Sequence, residues 1–256
     1  MQRASDGSAG DVDYGTFGPG YTNYRQPDLR IAAMIEAALG DARTVLNVGA
    51  GAGSYEPSDR EVTAVEPSAA MREQRPATRV RAIDATAETL PFGEDSFDAA
   101  MSTLSVHQWP DLEAGLANVR RVARDAVVIM SADPDLLENF WLFDYAPEVI
   151  QTEARRFPPI DRIAAALGRE IEVGVVEIPL DCTDGFNQAY FGRPELLLDA
   201  GARRANSAWS FVEDEVEARF VRDLTRDLEE GSWDARYGYL RTTATFDGGL
   251  RLIVSR

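Results

Sequence analysis

The chain has 256 residues and carries 43 acidic against 26 basic side chains, a net charge of −17. That length gives one large domain or two small ones, with room for a sizeable core. Every basic residue is arginine; lysine is absent, and His107 and Cys182 are the sole residues of their kinds. These scarcities exclude Schiff-base and phosphate-loop lysine chemistry, and they exclude an internal disulfide and the ordinary zinc sites, so no metal is expected. The acidic balance argues against nucleic acid or an anionic membrane as partner, because both need a basic face. No apolar run nears the roughly 20 residues that span a bilayer. Residues 1–13 lack the apolar stretch of a signal peptide, and with the lone cysteine this points to the cytoplasm.

In chain order, residues 1–26 read as a polar arm. A helix is expected from Pro27 to Leu39, with Pro27 in its first turn, Ile31, Met34, Ile35 and Leu39 on one face, and Gly40 as its stop. The run Thr44–Val48 reads as a strand that flows into Gly49-Ala50-Gly51-Ala52-Gly53. Val62–Val65 is a second strand, ending at Glu66-Pro67-Ser68 and followed by a helix through Met71. Val80–Ile83 is expected as a third strand, Phe97–Thr103 as a fourth, Leu112–Ala123 as a helix and Ala126–Met130 as a buried fifth strand. Ile171–Ile178 alternates like a strand, residues 182–235 read as helical, and Leu250–Val254 closes the chain as a strand after Asp247-Gly248-Gly249. Strand and helix alternating in this way predict an α/β fold with a mostly parallel sheet covered on both faces. Residues 27–256 are therefore expected as a single domain, with 182–235 as a helical insertion before the last strand.

Alternate glycines after an apolar strand expose backbone N–H groups to a ligand. A dinucleotide fingerprint needs Gly-x-Gly-x-x-Gly; here Ser54 holds the third glycine's place, which disfavours a nicotinamide-dependent oxidoreductase. Glu66, at the end of the second strand, is suited to accept both hydroxyls of a ribose.

The pattern Val45-x-x-Val48-Gly49-x-Gly51-x-Gly53, together with Ala87-Glu88-Thr89-Leu90-Pro91-Phe92 and Ser96-Phe97-Asp98, resembles the class I S-adenosylmethionine (SAM) dependent methyltransferases. The second stretch is similar to the type 11 branch, which contains the ubiquinone and menaquinone C-methyltransferases. The resemblance covers about residues 27 to 131 and implies a Rossmann-like, seven-stranded sheet and SAM as cofactor, with S-adenosylhomocysteine (SAH) as product. On these residues it implies SAM contacts from Asn47, Gly49, Ala50, Gly51 and Gly53, with the ribose on Glu66 beside Pro67 and Met71. Adenine falls to the segment Asp84, Ala85, Thr86 and Ala87, with Asp84 first among them, and Glu88, Ser102, Thr103 and Leu104 border the cofactor site. Tyr14, Tyr21 and Arg25 of the arm are expected to close over the cofactor, the arginine on its carboxylate and a tyrosine face toward its sulfonium. Two departures stand out: Asn47 replaces a frequent acid, and Thr86 replaces the usual Asp before Ala-Glu. The link Ser54–Glu61, with Pro57 inside, leaves room for about one helical turn.

His107, in the loop after the fourth strand, is a candidate general base or an orienting residue. His107, Trp109, Phe140, Trp141, Phe186, Tyr190 and Trp209 are expected to line an apolar or aromatic acceptor site, whereas Cys182 reads as a small buried residue. The function expected is methyl transfer to a small molecule at O, N or C by a monomer or homodimer. A SAM-binding protein without transferase activity is the alternative.

Overall fold

The computed structural model describes residues 20–168 and 170–256. Tyr14 lies outside them. Among the described residues the main sheet runs Glu61–Val65 (β2), Thr44–Val48 (β1), Phe97–Thr103 (β3), Ala123–Ala132 (β4), Leu250–Ser255 (β8), Ile171–Val175 (β5). β2, β1, β3 and β4 pair in parallel, and β8 inserts antiparallel between β4 and β5 with Ile129 opposite Ile253. This is a Rossmann-like α/β sheet.

Side chains of β4 alternate between two cores, as a strand covered on both faces requires. Val128 and Met130 meet Ile31, Ile35 and Leu39 of helix Leu29–Leu39, whereas Val127 and Ile129 meet Leu116 and Val119 of helix Leu112–Val122. Among the described residues of the N-terminal half lie the helices α1 (Tyr21–Tyr24), α2 (Leu29–Leu39), α3 (Ala69–Glu73) and α4 (Leu112–Val122). After β4 come α5 (Leu142–Tyr145), α6 (Pro147–Arg156) and α7 (Ile160–Leu167).

Between β5 and β8 the chain forms short helical turns and the helices α8 (Ala200–Arg204), α9 (Asp214–Glu230) and α10 (Ser232–Tyr237). The neck of this excursion is a two-stranded pair, Ile178–Pro179 (β6) against Thr245–Phe246 (β7), with Ile178 opposite Phe246. Both ends of the excursion are thus tied together where they leave the sheet.

Three local expectations are corrected. Helix α2 starts at Leu29, because the buried Asp28 caps it by accepting the Arg30 N–H at 2.9 Å, and Pro27 lies outside the first turn. The Val80–Ile83 strand shrinks to one parallel bridge, Val65 with Ile83, and this bridge marks the seventh place in the sheet. The Ser54–Glu61 link contains no helix at all, only turns and bends.

Candidate active site

The first turn of the site is built by glycine. Gly49 has φ +67°, and a Cβ there would lie 1.8 Å from Ser105 Oγ, so only glycine lets the β1 and β3 loops close on each other. The Ala50 N–H bonds the Val65 carbonyl at 2.9 Å, which turns the chain back over β2. The Gly51 N–H donates to Glu66 Oε2 at 2.8 Å and the Ser68 N–H to Glu66 Oε1 at 2.8 Å. Burial raises the pKa of this carboxyl, partly offset by these two backbone donors. Each Glu66 oxygen therefore keeps a lone pair for a further donor.

The wall that a crossover helix would form is replaced by an ion pair. Arg75 Nη2 holds both oxygens of Glu56, at 2.8 and 2.9 Å, while its Nη1 donates to the Gly51 carbonyl at 3.1 Å. Both side chains are almost wholly buried. Asn47 points into this support, donating from Nδ2 to Glu56 Oε1 at 3.1 Å.

The same link delivers Tyr55, which has φ +61° and a buried side chain. Its hydroxyl donates to Asp184 Oδ2 at 2.9 Å, and Arg25 donates from Nε to Asp184 Oδ1 at 2.5 Å. Arg25 also lies 5.4 Å from the Tyr21 ring centroid. One carboxylate thus ties the α1 segment and the glycine loop to the chain after β6.

A single cleft joins these parts, with an empty space of ≈ 1540 Å³ counting its open mouth. Its lining includes Tyr21, Arg25, Gly49, Ala50, Gly51, Glu66, Pro67 and Met71. Ala85, Thr86, Ala87, Glu88, Thr103 and Leu104 continue the wall with Trp109, whose ring lies near Gly49 and Ala87, and His107 and Phe186 line the far half. The Ala87–Phe92 stretch is pinned from behind, where Asn118 Nδ2 donates to the Glu88 carbonyl at 2.6 Å and Arg121 Nη1 to the Phe92 carbonyl at 2.8 Å.

Other expected residues do not line the cleft. Asn47 and Gly53 lie behind the glycine loop on the Glu56–Arg75 pair. Asp84 faces Arg72 at 3.5 Å, away from the cleft, and Ser102 is buried inside β3. The aromatic wall is smaller than expected: Trp141 bonds the Phe191 carbonyl at 2.9 Å and meets Trp233 edge-on, and Phe140 packs against it. Trp209 donates to Asn187 Oδ1 at 3.0 Å, and Tyr190 is buried among Arg25, Arg193 and Asp184, its pKa pushed up to about 12 mainly by burial. These four form core; for Trp141 and Trp209 the buried indole N–H is satisfied there by a tertiary partner.

The cleft lining also contains residues that the sequence reading missed, among them Tyr55, Ser105, Glu153, Arg156, Phe157 and Asp184. Glu153 could have been found: it shares a face with the buried Val149 and Ile150 of α6, a charge on an apolar stripe. His107 packs on Phe157, ring centroids 4.3 Å apart. Burial first, then the charges of Arg156 and Arg25, push its pKa down to about 3. The imidazole is therefore neutral at any ordinary pH and a poor proton acceptor.

This fold, with a glycine loop and a strand-end carboxylate facing one cleft, defines a nucleotide-type cofactor site of the doubly wound class. Residues 46–130 match the methyltransferase domain of type 11. A methyltransferase candidate from an antibiotic biosynthesis pathway of Anabaena variabilis is 30% identical, with 91% of this chain and 99% of that chain covered at a TM-score of 0.85. The chain belongs to the class I SAM-dependent methyltransferases. Phosphoethanolamine N-methyltransferase 2 of Haemonchus contortus, at 15% identity, TM-score 0.56 and coverage of 96% of this chain and 60% of that chain, shares the fold. So does a SAM-dependent methyltransferase of Thermotoga maritima, at 14% identity, TM-score 0.53 and coverage of 94% and 93%. No curated protein matches the chain. Among the described residues no helix is long and apolar enough to cross a membrane.

Proposed function

We propose that the chain transfers the methyl group of SAM to a small-molecule acceptor, with both reactants in the cleft between Gly49 and Phe186. The observation that carries this reading is the continuity of that cleft from the Glu66 carboxylate to the His107–Phe186 half. The donor set fits SAM: the lone pairs that Gly51 and Ser68 leave on Glu66 match two ribose hydroxyls. Met71 and Ala85–Ala87 offer an apolar slot for adenine, and Arg25, held by Asp184, offers a guanidinium to the methionine carboxylate.

SAM brings an activated methyl group, so the protein's task is to orient the acceptor and exclude water. Trp109 is locked for that task, with its Nε1 donating to Ser105 Oγ at 3.2 Å and its ring so close to Gly115 that a Cβ there would meet it at 2.6 Å. Neutral His107 orients by hydrogen bonding rather than by taking charge. Residues 20–26 act as the described part of the arm over the cofactor, the arm's residues 1–19 lying outside the described residues, and 182–235 act as the acceptor-side insertion. The net charge of −17 favours a small acceptor over nucleic acid. The similar Anabaena protein's pathway is consistent with an apolar or aromatic secondary metabolite. A cytoplasmic monomer or homodimer completes the reading.

A crystal structure with SAH tests it. The sulfur should face the space bounded by His107, Phe157 and Phe186. SAH seated outside the cleft, or with its sulfur against a closed wall, overturns the assignment.

A further inference from the structure

We propose that Glu153 receives the hydrogen bond, and during transfer the proton, of an O–H or N–H nucleophile, so that the acceptor is a hydroxyl or amine compound. This rests on the methyl-transfer reading. Glu153 is on α6, lines the acceptor half beside His107, Phe157 and Gln188, and is 9% exposed. Its Oε1 accepts from Asn187 Nδ2 at 2.8 Å and its Oε2 from Gln188 Nε2 at 3.2 Å. Among the described residues it forms no ion pair. A buried carboxylate held only by neutral amides is costly, and it has acceptor capacity to spare.

The amides are themselves aimed. Asn187 cannot turn over, because its Oδ1 accepts the Trp209 indole N–H at 3.0 Å. Its NH₂ is thereby committed to Glu153, which fixes the carboxylate at the cleft. A core position with no ligand role would be filled by an apolar residue matching Val149 and Ile150 on the same face.

The surroundings also suit a proton acceptor. Burial raises the Glu153 pKa, while the amides of Asn187 and Gln188 and the charges of Arg156 and Arg25 restrain the rise. His107, on the same lining as Glu153, Arg156, Arg25, Asp184 and Tyr55, moves the opposite way. In the step proposed, the acceptor's proton passes to a Glu153 oxygen and the acceptor's electron pair forms the new bond to the methyl carbon. The sulfur–methyl bond breaks with its electrons retained by sulfur, which loses its positive charge. Glu153 later releases its proton to water.

The test follows the carboxyl C=O band by infrared titration of the full chain saturated with SAH. Glu153→Gln serves as the blank: its Oε1 can keep the Asn187 bond while Gln188 turns its amide to meet the new NH₂. Calorimetry should give wild type and E153Q the same SAH affinity within threefold. A band absent from E153Q should titrate above the ordinary glutamic acid value of about 4.3. Phenol or aniline, both uncharged where the band titrates, should lower that midpoint by about one unit, since a donor to the carboxylate favours its charged form, and toluene should not. The arm that responds, phenol or aniline, tells hydroxyl from amine acceptors. No such band, or a midpoint that neither probe moves, overturns the proposal and leaves methyl transfer standing. Failure of wild type to bind SAH overturns the methyl-transfer reading itself. Should E153Q not fold, E153D assigns the band by shifting it.

Discussion

Tyr55 donates its hydroxyl hydrogen to Asp184 at 2.9 Å, joining the shortened glycine-loop link to a segment far along the chain. Arg25 holds the other oxygen of the same carboxylate at 2.5 Å. Both ion-pair side chains are largely buried, so removing the negative charge strands a guanidinium. Asp184→Asn should lower the unfolding free energy by about 3 kcal/mol in urea titration. Tyr55→Phe should cost about 1.5–3 kcal/mol, the size of one hydrogen bond to a charged acceptor. The two losses should not add in the double variant, because they share one carboxylate.

Glu66 is oriented by two backbone N–H groups and needs no further partner for its own stability. Glu66→Gln sets an NH₂ against one of these two donors and should lower the unfolding free energy by about 1–3 kcal/mol. SAH affinity should fall roughly 10- to 100-fold, the worth of hydrogen bonds to a charged acceptor of about 1.5–3 kcal/mol. Urea titration checks the first effect and calorimetric titration of the folded variant the second.

Gly49 is closed on Ser105 more tightly than any side chain allows. Gly49→Ala should weaken SAH binding by about tenfold or more, through the clash and through a φ of +67° that costs about 1–2 kcal/mol for an L residue. Adding Ser105→Gly should recover part of the loss and not all of it, since it removes the clash and leaves the backbone strain.

His107 fixes an acid limb of stability. Its folded pKa is near 3, whereas an unfolded histidine titrates near about 6.5. Between those values the unfolded chain binds a proton that the folded chain refuses. Stability linked to His107 is thus fully present above about pH 6.5 and is lost as pH falls toward 3. Glu66 and Glu153, raised by burial, contribute with the opposite sign in wild type and variant alike. His107→Gln should lose less melting temperature than wild type on going from pH 7.5 to pH 5.5. Equal losses would show that the imidazole does not resist protonation.

How far the sequence carries can be argued residue by residue. β1, β3 and the glycine loop are legible because apolar runs bounded by glycine have few other solutions, and Glu66 follows from the loop. Val80–Ile83 is apolar too, yet Val80 and Ile83 are 43% and 41% exposed at the sheet's edge, where no neighbour rewards pairing beyond one bridge. Phe140, Trp141, Tyr190 and Trp209 were expected at the acceptor. Whether an aromatic is wall or core depends on who satisfies its polar atom, and Trp141 finds the Phe191 carbonyl only through tertiary packing. Asp184 is hidden for the same reason, since its partners come from distant segments, whereas Glu153 leaves a trace as a charge on the apolar stripe of α6.

The central claim, that the cleft from Gly49 to Phe186 holds SAM and not a nicotinamide dinucleotide, is tested most directly by calorimetric titration of the full chain with SAH and with NAD⁺. The account predicts saturable one-to-one binding of SAH, weakened by Glu66→Gln, and no heat of binding with NAD⁺. Binding of NAD⁺ without binding of SAH would contradict it.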